Sequence, residues 1–530
     1  MTMKNIKNIF TITLIALALT GCEDFLEPNS QSEFVPKDAS SLDQLLLGEA
    51  YQRNDKAGFN IFLGLLDDDI EATPYQVPTE TYNEQKYLGS FAWQPNMFER
   101  MEMANSGHTN MYEKYYELIL GANAVIDYLP EVIDTKDMKN YVKAQAHALR
   151  AFYYFNLVNI FGQPYNANPD SLGCALGVPL KLKSGIEKDE DALKRKTVGE
   201  VYAQILSDLH LAEELYSSLP ANMQFKKKDR VSLPMVQLML SRTYLYMENW
   251  EEAARYAKMV MENSLFKLKD LNDVMTTGLN SNGDTVRTYM YYPVKESTEA
   301  IWLYGSVDDM FGWTHYGAGF ENPKHKVNNK NVIMHAYFRA SQDLLNSYDN
   351  FDLRKERYIV RASFGSEGLN PMAYGKIFVG SSYLPKTSTT DGKFGRCLRL
   401  SEAYLNYAEA QANIGGAGLN EAINALTTLR EHRFSPEDDY EVDIEGQEEL
   451  IKFVKEERRR ELCFEGHRWF DLRRWGMPEI KHVWHESSTK SVVYTLQEKD
   501  LMYTVPIPKE AMDENPKLEQ NELPGIRQGV

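Results

Sequence analysis

IKFVKEERRRELCFEGHRWFDLRRWG, residues Ile451 to Gly476, mixes charge and large aromatics too densely for an ordinary surface helix. It reads as a helix, a break and a second short helix. Steps of three and four from Ile451 reach Val454, Arg458, Leu462 and Glu465, so charged and apolar side chains share one stripe. Such a face is buried only if its charges are paired. Within the helix the spacing offers Glu456 to Arg460 and Glu461 to Arg458, and Gly466 is the expected left-handed stop. Trp469, Phe470, Leu472 and Trp475 then form a second apolar face. Glu461, Glu465, His467 and Asp471 admit two readings, an acid/base constellation or a buried ion-pair network. The second is favoured, because paired buried charges commonly fix one packing arrangement.

The segment ERRRELCFEGHRWFDLRRWG resembles the C-terminal signature of the SusD/RagB family. Three further segments agree with it in the family's order: LDQLLLGEAYQ at Leu42 to Gln52, AHALRAFYYFNLVNIFGQPY at Ala146 to Tyr165, and IPKEAMDENPKLEQN at Ile507 to Asn521. The resemblance implies a nutrient-binding lipoprotein of the cell surface that partners a SusC-like TonB-dependent outer-membrane transporter. It implies the scaffold better than the cargo.

The chain opens MTMKNIKNIFTITLIALALTGC, with Lys4 and Lys7 ahead of an apolar run from about Ile9 to Leu19. That run is shorter than the roughly 20 residues a membrane-spanning helix needs, so residues 1–21 read as a signal peptide. Leu19-Thr20-Gly21-Cys22 fits a lipobox, and Cys22 is the expected lipidation site. Glu23, Asp24 and Glu27 follow, similar to the acidic tags that send such lipoproteins to the outer face of the outer membrane. Residues 22–41, with Pro28 and Pro36, suit a tether.

Cleavage would remove two lysines and no carboxylate, taking the net charge from -18 to -20. An acidic surface of that size argues against nucleic acid as a partner. Lipidation would consume one of four cysteines, leaving Cys174, Cys397 and Cys463, an odd number that implies no disulfide framework.

Residues 22–530 are expected to form one mostly α domain, with helical scaffold over about 42–265 and 397–530. The periodicity predicts helices at Leu42 to Arg53, Asn110 to Leu129, Met138 to Phe161, Thr197 to Leu219, Leu233 to Tyr246, Trp250 to Asn263, Leu398 to Ile414, Leu419 to His432 and Gln447 to Phe464. Thr197 with Glu200 forms a capping box. The pairs starting at Leu233 and Leu398 resemble tetratricopeptide helical hairpins, without the full consensus.

Between about 266 and 396 helical periodicity fails, in a stretch rich in Gly, Asn and Tyr with short alternating pieces, too long for a simple connection. A second irregular region, Asn54 to Gly107, carries LLDDDIEATPYQ and SFAWQPNMFE. Irregular insertions on a rigid scaffold commonly bind ligands, and the resemblance implies that these two meet on one ligand-facing side.

Catalytic motifs are absent: no G-x-S-x-G elbow, no phosphate-binding loop, and no second His to complete a zinc helix around His485-Glu486. Gly415-Gly416-Ala417-Gly418 follows a helix rather than a strand and reads as a turn. Asp67, Asp68, Asp69 and Glu71 offer hard oxygen atoms to calcium but lack the spacing of an EF-hand loop, so a solvated acidic loop is the expected reading. No metal or cofactor is expected. The leading function is non-catalytic capture of glycans or oligosaccharides; a glycan-cleaving enzyme with two opposed carboxylates and a peptide-binding helical adaptor are the alternatives.

Sugar capture needs flat rings on firm supports, since the apolar face of a pyranose stacks on an aromatic ring. Phe311, Trp313, His315 and Tyr316, set among Gly312, Gly317 and Gly319, are the expected platform, with Trp93 and the Asp67 to Asp69 turn as neighbours.

Overall fold

The computed structural model describes residues 36–52, 61–72, 87–103, 110–186, 190–274, 277–279, 285–287, 292, 294–305, 326–327, 330–331, 338–362, 372–374, 394–487 and 490–530. Phe311, Trp313, His315, Tyr316, Cys22 and most of the tether lie outside them.

The fold is mostly α. Helix α1 (Ala39–Glu49) starts where the Asp38 side chain accepts from Ser41 N. A short α2 (Met97–Met103) is followed by α3 (Met111–Tyr128), capped by Asn110. Next comes α4 (Lys136–Phe161), whose 26 residues give a rod of about 39 Å. From Ala144 to Phe155 every side chain of α4 is buried, which makes it the central element. Gly121 lets α3 approach α1, because a Cβ there would lie 2.5 Å from the Glu49 carbonyl oxygen.

The expected capping box closes the start of α5 (Val198–Ser217), with Thr197 and Glu200 each bonding the other's backbone N–H. Two helical hairpins follow the expected pattern, α6 (Leu233–Tyr246) with α7 (Trp250–Met261), and α8 (Leu400–Ile414) with α9 (Gly418–Glu431). Gly415 and Gly416 make the second turn at φ of +75° and +57°. Helix α10 (Gln447–Leu462) packs on α8, α11 (Arg468–Arg474) and α12 (Lys509–Glu514) follow, and shorter helical turns lie at Ala221–Gln224, Gln342–Ser347 and Arg354–Arg357.

Gly466 has the expected positive φ of +85°, but α10 already ends at Leu462. Phe464 takes φ of +63°, turning its ring into two small apolar clusters beside the main core. The backbone has already left the helix at Cys463, whose ψ is 140°, three residues before the glycine.

The strands are short and paired. Strand β1 (Ile70–Ala72) lies antiparallel to β3 (Phe338–Ala340), with Glu71 opposite Arg339. Strand β2 (Ala300–Tyr304) pairs with β4 (Arg396–Arg399), and β5 (Ile480–Ser487) forms a hairpin with β6 (Lys490–Leu496). Thus β1 and β3 bring the two irregular regions together. One continuous core gathers side chains from Ala39 to Leu518.

Candidate functional site

The buried charges of α10 find partners across the fold. Glu461 receives three guanidinium groups: Arg399 Nη1 at 2.5 Å, Arg433 Nε at 3.0 Å and Arg354 Nη1 at 3.1 Å. Glu299 accepts from Arg399 and Arg433, Glu465 from Arg399, and Asp352 and Glu457 pair with Arg354. Burial opposes ionisation of Glu461, but the arginines outweigh it and hold its carboxyl well below the usual range. Arg399 ends β4, Arg433 follows α9, and Glu299 precedes β2, so the network bolts both ends of the 266–396 region to the scaffold.

The pairs expected within the helix are replaced. Arg458 donates to Asp471 at 2.9 Å, and Arg460 pairs with Glu457 instead of Glu456. Arg458 faces the interior and is satisfied by another element, while Arg460 stays within the helix but takes the buried Glu457 one turn back. His467, buried among arginines, has its pKa pushed well below the usual value and stays neutral.

Above this network lies a cleft of about 490 Å³ between β1, β3 and β5. Asp68, from the Asp67 to Asp69 turn, forms part of its lining. Arg468 grips Asp68 through Nε at 2.6 Å and Nη2 at 2.8 Å, while Arg459 reaches Asp69 at 2.8 Å and Asp343 at 2.6 Å. Burial works against the charge of Asp68, yet Arg468 and then Arg459 hold its pKa down to about 2. Asp67 has the opposite fate: burial, then the neighbouring Asp69 and Asp68, push its carboxyl well above the usual range. With Asp68 and Asp69 both taken by arginine, the turn offers a cation no open ligand set.

The candidate site differs from the expected one at several places. Trp93 is fully buried, contrary to the expectation of a ligand-facing ring. Its Nε1 donates to the Leu66 carbonyl at 2.9 Å, and its ring stacks on His482, 4.2 Å between centroids, with Phe91 on the other side at the same separation. The irregular sequence around it concealed this packing. Asp67 and Asp69 are buried as well, so only Asp68, about a quarter exposed, reaches the cleft from the acidic turn.

Arg339, Asp343 and His485 line the cleft and were not expected there, and Glu71, read from the sequence only with the acidic turn, lines it too. Arg339 bonds Glu71 through Nε at 2.6 Å across the β1–β3 ladder. Nothing in the local pattern marks this pairing, because its two halves lie 268 residues apart.

Comparison with known proteins places the whole arrangement. A model of the SusD family matches residues 374–525, and one described as "Starch-binding associating with outer membrane" matches residues 24–245. SusD-like protein P38 of Formosa agariphila is 24% identical over 98% of this chain and 99% of its own, and SusD-like protein P25 of the same organism is 21% identical over 97% and 98%. A SusD superfamily protein from Bacteroides thetaiotaomicron superposes with a TM-score of 0.65 at 21% identity, covering 92% of this chain and all of that one. A SusD-like carbohydrate binding protein from Bacteroides vulgatus gives a TM-score of 0.62 at 18% identity, covering 91% and 98%. With both ends of the sequence matched by such models and the helical scaffold shared throughout, this chain belongs to the SusD/RagB family.

Proposed function

We propose that this protein is a cell-surface lipoprotein that captures glycans or oligosaccharides, without cleaving them, and delivers them to a SusC-like TonB-dependent outer-membrane transporter. The observation that carries this reading is the match of residues 24–245 to the starch-binding, outer-membrane-associated model. The B. vulgatus relative named as carbohydrate binding supports the same class of ligand. The lipobox ending at Cys22 supports the anchor, and the acidic residues after it support an outward-facing position.

The cleft suits hydroxyl-rich ligands. Asp68, Glu71 and Asp343 present acceptors and Arg339 presents donors, each held by an ion pair before any ligand arrives. Preorganised polar groups of this kind lose little freedom on binding. Phe311, Trp313, His315 and Tyr316 are proposed, on their sequence alone, as the stacking platform that such a ligand also needs. Screening the purified protein on a carbohydrate array tests the reading. Saturable binding of at least one glycan without turnover is expected; turnover, or no binding to any glycan, overturns it. Co-purification with a large barrel protein from detergent extracts tests the transporter.

A further inference from the structure

Two bare isoleucines lie at one end of the molecule. Ile133, in the turn between α3 and α4, is 88% exposed, and Ile186, just after Gly185, is 92% exposed; of the large apolar residues described only Val530 is more so. Tyr128, the last residue of α3, adds a ring that is 45% exposed. Scattered apolar side chains are ordinary on a protein surface, but these three share one place. The Ser184 N–H and hydroxyl donate to Asp127 Oδ2 at 2.7 and 2.8 Å, which ties the 181–186 segment to the last turn of α3. Lys181 Nζ closes that segment on the Gly185 carbonyl at 2.7 Å, and Lys139 Nζ holds the Val132 carbonyl at 2.8 Å. The isoleucines therefore project from fixed backbone.

The tether joins the fold at the same end. The Ile133 N–H donates to the Lys37 carbonyl at 3.3 Å, and the Ala39 N–H to Asp134 at 3.1 Å. From Cys22 to Lys37 is fifteen residues, about 50 Å at full stretch. A domain of this length is about 60 Å across, so a chain anchored at Cys22 holds this end toward the membrane and leaves the far side out of reach. Charge agrees with that orientation. Residues 36–38, 127–139 and 181–186 carry five lysines and five carboxylates, a net of zero in a chain of net charge -18. An anionic headgroup layer is repelled least here.

We propose that this end of the molecule rests on the membrane surface, with Ile133, Ile186 and Tyr128 entering the headgroup layer beside the root of the tether. The isoleucines supply apolar area, the Tyr128 ring suits a boundary that is apolar on one side and wet on the other, and the exposed Lys136 and Lys183 meet lipid phosphates. The orientation rests on the lipid anchor of the proposed function and not on the glycan cleft.

Depth-dependent quenching tests it. The full acylated chain, with Cys174→Ser to remove the exposed thiol, is reconstituted into phosphatidylethanolamine and phosphatidylglycerol vesicles containing doxyl-labelled lipid. An environment-sensitive fluorophore is placed on Ile133→Cys, on Ile186→Cys or, as a control at the end of α8, on Ile414→Cys. Flotation of the vesicles reports the anchor, and the fluorophore reports the face. Blue-shifted emission quenched by the doxyl groups is expected at positions 133 and 186 and not at 414. Adding Ile133→Glu to the labelled Ile186→Cys protein should reduce its quenching and leave the melting temperature unchanged, because so exposed a side chain contributes little packing. Water-like emission at both positions in floating vesicles, equal quenching at 414, or quenching unmoved by Ile133→Glu would overturn the proposal. A blue shift without quenching would give the face to a second copy of the chain and overturn it too. Without flotation the anchor fails, and the orientation with it.

Discussion

Arg459 donates through Nε to Asp69 Oδ1 at 2.8 Å, joining two residues 390 positions apart. The same guanidinium reaches Asp343, on the helical turn that follows β3. One side chain of α10 therefore holds both irregular regions against the scaffold, and with them part of the lining of the cleft between them.

Glu461→Ala should lower stability by about 3–5 kcal/mol, since it takes from three buried guanidinium groups the one carboxylate they share and leaves them only their outer partners Glu299, Glu465, Asp352 and Glu457. Arg458→Ala should cost less, because Asp471 keeps its contact with Arg474 at 2.9 Å. Urea unfolding of both variants checks the order; equal losses, or none, would mean that the network does not hold the fold.

Trp93→Ala should destabilise the protein by about 3–5 kcal/mol, as loss of a buried ring in a packed stack does. This is a stability effect and not one on affinity. Thermal melts compared with glycan affinity at a temperature where the variant stays folded separate the two.

Stability should fall on acidification in two stages. His482 is buried between Phe91 and Trp93, which holds its pKa down to about 4, whereas in the unfolded chain it titrates near 6.5. Between those values the unfolded state binds more protons, so stability drops as pH falls from about 6.5 to 4. Glu461 and Asp68 have depressed pKa values; their contribution is present above the unfolded carboxylate value, about 4, and is lost as pH falls below it. Denaturation midpoints measured from pH 7 to 3 test this, and His482→Phe should reduce the first stage without touching the second, the rest of the first stage coming from His467, whose pKa is also held well below the usual value.

Arg339→Ala should weaken glycan binding about three- to tenfold, the worth of one hydrogen bond from a guanidinium already shared with Glu71, while Trp313→Ala should abolish it. Isothermal titration with a glycan found on the array gives both values. An affinity unchanged in Arg339→Ala would move the ligand away from the cleft.

Cys22→Ala should release the protein from the membrane fraction, and mass spectrometry of the wild-type N-terminus should find an acylated Cys22. An unmodified cysteine would remove the anchor from the proposed function.

The sequence by itself determined the scaffold. Helices such as Leu233–Tyr246 and the Thr197 capping box were legible because a helix writes its buried face at spacings of three and four, and its cap within three residues. Gly415 and Gly416 likewise announced their turn, since glycine tolerates positive φ. Only the tertiary structure decided the partners of Arg458, Arg459 and Glu461, the burial of Trp93, and the meeting of Glu71 with Arg339. Each depends on segments tens to hundreds of residues apart being brought to within 3 Å, and a charge or a ring looks the same in sequence whether its neighbour is water or another element.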